Sequence, residues 1–79
     1  MTITMQFDQE IDTSGLLCPL PILRTKKALA TIQSGQVLKV LTTDPKALED
    51  FQAFTDQTGH SLLDQQKNGD TITHFIRRR

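Results

Sequence analysis

Val37-Leu38-Lys39-Val40-Leu41-Thr42-Thr43, running straight into Asp44-Pro45, is the stretch from which the architecture can be read. Its first seven residues are β-branched or apolar with a single charge, the composition of a largely buried inner strand. Asp44-Pro45 then opens a helix, because the Asp carboxylate can accept free backbone N–H groups and Pro suits the first helical position. Ala47, Phe51, Phe54 and Thr58 line one face of that helix, joined by Leu48. Gly59 closes it by taking the left-handed conformation at least cost. A buried strand that feeds directly into an amphipathic helix is the repeating step of an α/β chain.

Downstream, Ser61-Leu62-Leu63-Asp64-Gln65-Gln66 and Thr71-Ile72-Thr73-His74-Phe75-Ile76 flank Asn68-Gly69, the dipeptide favoured in type I′ turns, which predicts a hairpin. Upstream, Met5, Phe7 and Ile11 share odd positions between Met5 and Asp12, a period of two that predicts a half-buried strand. Thr13-Ser14-Gly15 reads as a turn. After Pro21 the positions Ile22, Thr25, Ala28, Leu29 and Ile32 recur at helical spacing, with Arg24, Lys27 and Thr31 on the other side and Ser34-Gly35 as the stop. The order is β-α-β-α-β-β. Right-handed crossovers place both helices on one face of the sheet, a two-layer α/β sandwich whose other face is left more exposed to water.

A chain of 79 residues has room for one domain, 1–79, which buries roughly 60% of the surface of the extended chain. Nine basic and nine acidic residues cancel, so there is no net charge to gather nucleic acid or an anionic membrane from a distance. The Met1-Thr2-Ile3-Thr4 start carries neither the basic segment nor the long apolar run of a secretory signal, so the expected location is the cytoplasm and no membrane contact is expected. The single cysteine, Cys18, cannot form an internal disulfide. His60 and His74 lie too far along the chain to complete a metal-ligand spacing with it, and no metal or cofactor is expected.

The chemically informative segment is Gly15-Leu16-Leu17-Cys18-Pro19-Leu20-Pro21, between the first strand and the first helix. The first N–H groups of a helix lack internal partners, so Pro19 and Pro21 are tolerated in its first turn. Pro19 disfavours helical geometry for the residue before it, which places Cys18 at the capping position with its thiol facing the positive end of the helix dipole. A helix terminus is worth about 0.3–1 kcal/mol to a nearby anion against about 1.4 for one pKa unit, so the expected lowering is under one unit unless Arg24, Lys26 or Lys27 adds to it. Such a thiol is suited to receiving sulfur from an activated donor.

The run Asp12-Thr13-Ser14-Gly15-Leu16-Leu17-Cys18-Pro19-Leu20-Pro21 resembles the signature of the TusA-like (SirA-like) sulfur carriers: an Asp, then Gly, then Cys-Pro-any-Pro opening a helix. Ala28-Leu29, Gly35-Gln36-Val37-Leu38, Thr43-Asp44-Pro45, Gly59-His60 and Ile76-Arg77 extend the resemblance over nearly the whole chain. It implies a mixed four-stranded sheet in the order 1-2-4-3. It also implies a carrier, acting through a cysteine persulfide rather than as a stand-alone catalyst. Cys18 would accept sulfane sulfur from a cysteine desulfurase or a rhodanese-type protein and pass it to an acceptor protein. Transfer RNA 2-thiolation (with the tRNA met only indirectly), molybdenum cofactor synthesis and sulfur oxidation are the pathways compatible with it. By the same resemblance Gly15, Pro19 and Pro21 shape the persulfide loop, Asp12 and Asp44 are structural signature positions, and Arg24 and Lys26 contact a partner or the persulfide. A carrier presenting one thiol to several partners is expected to be a monomer.

Two other readings compete. An RNA-binding module is suggested by a topology similar to the C-terminal domain of a translation initiation factor, but zero net charge and the absence of a surface aromatic platform oppose it. A non-catalytic regulatory adaptor would make the thiol expendable. His60 and His74 are read as ordinary strand-end and strand residues, and Arg77-Arg78-Arg79 as a solvated terminus.

Overall fold

The computed structural model describes residues 6–79. The elements are β1 (Gln9–Asp12), α1 (Leu20–Leu29), β2 (Val37–Thr42), α2 (Ala47–Thr58), β3 (Ser61–Asn68) and β4 (Thr71–Arg77). They form one sheet in the order β1-β2-β4-β3, with β1 parallel to β2 and β4 antiparallel to both of its neighbours. This is the expected mixed sheet and element order.

β2 lies inside the sheet, as its composition requires. Leu38 and Val40 on its helix side are completely buried. They meet Ala28, Leu29 and Ile32 from the α1 side, Ala47, Phe51 and Phe54 from α2, and Ile76 from β4. Both helices therefore cover the same face. Burying such side chains contributes about 1.5–3 kcal/mol each, which makes this seam the main source of cohesion in so short a chain.

The elements depart from the expected boundaries in three places, each for a local reason. β1 begins only at Gln9, and the Met5 end of the expected strand lies outside the described residues. The chain bends at Asp8, whose N–H donates to Val37 O (2.8 Å) and whose carboxylate accepts the Val37 N–H (2.8 Å). Because of that bend Phe7 and Ile11 do not share a face. Ile11 packs on the core, whereas Phe7 folds over the opposite face against Phe75 (centroids 6.5 Å apart), with the Lys39 ammonium 5.0 Å from the Phe7 ring. That second face is thus partly capped, and Phe75 is only 3% exposed.

α1 stops at Leu29, well before Ser34-Gly35. The Thr31 hydroxyl donates to Ala28 O (2.6 Å), a local bond that competes with continuation of the helix. A turn then leads to Gly35, where φ is +86°. In the hairpin, Asn68 pairs with Thr71, so the two loop residues are Gly69 and Asp70. Only Gly69 has positive φ, the pattern of a type II′ turn with Gly at the first central position and not of the expected I′.

His74, read as an ordinary strand residue, is completely buried. Its ring stacks on Phe51 (centroids 4.1 Å, planes 14° apart). The Gln65 amide donates to Nδ1 (3.0 Å), which leaves Nε2 to donate to the Thr42 hydroxyl (2.9 Å). Gln65 is itself fixed by an N–H···O bond to Leu48 O (3.0 Å) and by the Gln52 amide (2.9 Å). All of these partners suit a neutral ring, and burial lowers the His74 pKa to about 4.

The sign of the consequence follows. A histidine near 6.5 when unfolded and about 4 when folded leaves the unfolded chain binding more protons between those values, so stability falls as pH falls through that window. The loss over the whole window amounts to about 3 kcal/mol. His60 is also lowered, by burial first and then by Arg79 and Arg78, and acts in the same direction. Urea unfolding of the wild type and His74→Gln between pH 7 and 4 should give a shallower pH dependence in the variant. Identical slopes would show that His74 is not the group responsible.

Candidate functional site

Two β-to-α turns meet at the carboxyl ends of β1 and β2, and Cys18 lies on the first of them. Asp12 ends β1 and its Oδ1 accepts the Ser14 N–H (2.9 Å), which curls the chain into a tight turn. Thr13, 2% exposed, is fastened to β2 by both its N–H (2.8 Å) and its hydroxyl (2.6 Å), each donating to Leu41 O. Gly15, with φ +82°, donates its N–H to the Thr43 hydroxyl (2.8 Å). Nothing lies within 4 Å of where a Cβ would sit at Gly15, so the glycine answers a backbone requirement and not a crowded site.

The decisive bond is further along. The Cys18 N–H donates to Asp44 Oδ2 (2.9 Å), while Asp44 Oδ1 accepts the Lys46 N–H (3.0 Å) and Asp44 O accepts the Ala47 N–H (2.9 Å). α2 begins only at Ala47 with Lys46 in the cap position, so Pro45 lies in the preceding turn and not at the first helical position expected of it. The buried Asp44 carboxylate shapes that turn through Lys46 and also holds the cysteine loop, which local reasoning did not anticipate. Both donors hold the Asp44 carboxyl below the usual range, Lys46 first and Cys18 second, and Asp12 is lowered likewise by Ser14.

Cys18 itself sits one residue further out than expected. α1 starts at Leu20 with Pro19 in the cap position, the Cys18–Pro19 peptide is cis, and Pro21 lies in the first turn. The thiol is free and exposed. Its pKa is raised, opposite to the expected direction. The first cause is the nearby Asp50 carboxylate, which favours the protonated thiol as a hydrogen-bond donor. Loss of hydration and the negative charges of Asp50 and Asp44 add to it, and Lys46 partly opposes them. Asp50 belongs to the first turn of α2, so the helix next door decides the matter against any dipole effect from α1. A carboxylate on a separate element gave no signal in the Cys-Pro motif.

Around the thiol the surface is apolar. Leu17 (67% exposed), Leu20 (45%) and Leu23 (52%) lie beside Cys18 and along the first turn of α1. Arg24 is on the β1 side of α1, lining a recess with Lys27, Asp12 and Thr13. Lys26 points elsewhere, into a cavity at the far end of the helix. The two cations are thus not gathered at the thiol. Among the described residues no group of three or more His, Cys, Asp or Glu could hold a metal ion, and no helix is long and apolar enough to cross a membrane.

Comparison with known proteins gives a consistent result. The model of the family described as sulfurtransferase TusA matches residues 9–78. The chain is 54% identical over 70 residues to the sulfur carrier protein TusA of Allochromatium vinosum, covering 89% of this chain and 91% of that one. It is 35% identical over 72 residues to the protein of the same name from Pseudomonas putida, covering 91% and 90%. In structure it is similar to a SirA-like protein from Desulfitobacterium hafniense, with a TM-score of 0.77 at 29% identity over 89% of this chain and 96% of that one.

The arrangement around Cys18 makes a direct prediction. Replacing Asp50 by Asn removes the acceptor charge, so the pH profile of Cys18 alkylation by iodoacetamide should move to lower pH and the reaction at neutral pH should quicken. An unmoved profile would mean that Asp50 does not hold the proton.

Proposed function

Because the chain belongs to the sulfurtransferase TusA family, we propose that Cys18 is the residue on which it carries sulfur, as a persulfide taken from one protein and handed to another. The observation that carries this reading is the thiol itself: exposed, on a loop pinned by Asp44, and beside three exposed leucines.

The chemistry is a sulfur exchange. A donor protein, a cysteine desulfurase or a rhodanese-type protein, presents a cysteine persulfide. The Cys18 sulfur attacks its outer sulfur, the donor's sulfur–sulfur bond breaks, and the donor cysteine leaves as a thiolate that takes up the proton released by Cys18. Only the thiolate attacks, so the raised pKa keeps Cys18 quiet until it is docked. A partner cation near Asp50 would weaken that hold. Delivery reverses the roles, with an acceptor thiolate attacking the outer sulfur of the Cys18 persulfide.

The remaining residues have supporting parts in this reading. Gly15, Pro19 and Pro21 set the course of the loop, and Asp12 and Asp44 hold its two ends. Leu17, Leu20 and Leu23 offer a partner an apolar seat. Arg24, in the recess on the β1 side of α1, is the cation a partner could reach on that flank, and Lys26, turned to the far end of the helix, is left without a part at the thiol. Acceptors in tRNA 2-thiolation, molybdenum cofactor synthesis or sulfur oxidation are all served by the same exposed persulfide.

Intact-mass measurement tests the proposal. After incubation with a cysteine desulfurase and cysteine, or with a rhodanese and thiosulfate, the wild type should gain one sulfur atom that a reductant removes, and Cys18→Ser should gain none. Failure of both donor types with correctly folded protein would refute it, as would equal loading of the variant.

A further inference from the structure

At the opposite end of the helices from Cys18 lies a cavity of about 420 Å³, within the size range of small-ligand sites. α1 has 10 residues, so its two ends are separated by roughly 15 Å. Leu29 and Phe54 form the apolar floor, and Lys26, His60, Arg78 and Arg79 bring cationic or hydrogen-bonding groups from α1, from the link after α2 and from the chain following β4. No carboxylate side chain lines it. The ion pair found among the described residues is Lys39 with Glu10, so Lys26, Arg78 and Arg79 meet no acidic partner there.

These groups are positioned. The Arg78 guanidinium donates through Nη1 to Ile32 O, and the Arg78 backbone exchanges hydrogen bonds with Gly35 and Gln36. The Arg79 N–H donates to His60 Nδ1 (3.1 Å), so the neutral ring carries its proton on Nε2 and keeps a free donor. The Arg79 side chain lies over Gly59, 3.3 Å from the place of a Cβ there, which only a glycine leaves open. The His60 ring in turn rests against Phe54 (5.9 Å).

We propose that this cavity is a binding site for a phosphoryl group, held by Lys26, His60, Arg78 and Arg79. The lining brings together, from three segments, the Arg79 and Lys26 cations, the His60 imidazole and the Arg78 guanidinium, one nitrogen of which is already bonded to Ile32 O. That array suits a tetrahedral dianion with several acceptor oxygens better than a planar carboxylate with two. The source is either a free phosphate or nucleotide, or a phosphate of a nucleic-acid strand. The site stands apart from the thiol and does not depend on the sulfur-carrier reading.

The test is a two-dimensional amide NMR titration of the ¹⁵N-labelled chain with inorganic phosphate, adenosine monophosphate and a short single-stranded RNA, at constant ionic strength with chloride as control. Saturable shifts at Lys26, Ala30, His60 and Arg79, with the His60 titration moved upward by phosphate, are expected. Arg79→Glu should weaken binding about tenfold or more, Lys26→Glu should weaken it also, and Cys18→Ser should leave it unchanged. Tighter binding of the monophosphate than of the RNA assigns a free ligand, and the reverse assigns a strand. Shifts that are absent or linear would overturn the site, as would shifts equally large at Arg24 and Lys27 or unaltered in both charge-reversal variants of well-dispersed spectra.

Discussion

The Asp44 carboxylate is the constraint on which the working end of the molecule depends. One oxygen receives the Lys46 N–H in the turn that leads into α2; the other receives the Cys18 N–H from 26 residues earlier in the chain. Hydrogen bonds from backbone donors to an ionised acceptor are among the stronger ones available. Placing the carboxylate between two turns links their geometry, so the position of the cysteine follows from the start of α2. Thr13 bonded to Leu41 O and Gly15 bonded to Thr43 repeat the same lashing at the carboxyl end of the β1–β2 pair. The sheet core fixes where β2 ends, the end of β2 fixes Asp44, and Asp44 fixes the thiol.

That chain of dependence explains what could be read in advance. Element order, the inner position of β2 and the side of the sheet taken by both helices were legible because each rests on local periodicity and on punctuation by Gly15, Gly35, Gly59 and Pro45. The Cys-Pro-any-Pro run, together with the rest of the signature spread along the chain, drew attention to Cys18, and the structure places that thiol free and exposed. Asp44 was legible as leading into a helix but not as the holder of Cys18, since a bond across 26 residues leaves no spacing to recognise. The direction of the Cys18 pKa was misread for a related reason: the dipole of its own helix was visible, and Asp50 on the neighbouring helix was not. His74 looked ordinary because its burial comes from Phe51, Gln65 and Thr42, which lie on three other elements.

Charge is distributed unevenly in a molecule whose total is zero. Asp12, Asp44, Glu49 and Asp50 belong to the turns and first helical turn around Cys18. Lys26, Arg78 and Arg79 surround the cavity at the other end. The net balance, which argues against long-range attraction to polyanions, therefore says little about either end taken alone. A partner approaching the thiol meets leucines bordered by carboxylates, and one approaching the other pole meets cations in a cavity that no Asp or Glu side chain lines. Such a dipolar arrangement orients an encounter as well as attracting it.

The strand order also bears on behaviour at high concentration. With β1 and β3 outermost, both carry backbone groups that could be extended by a strand from another copy, the usual route to edge-to-edge aggregation. β1 is only four residues long. β3 is interrupted by a register shift between Leu62 and Asp64 and carries Asp64 and Lys67 along its length. Short length, irregular pairing and charge each discourage a neighbouring strand from zipping on. The fold can therefore keep an exposed thiol and three exposed leucines on its surface while both edges of its sheet discourage strand addition.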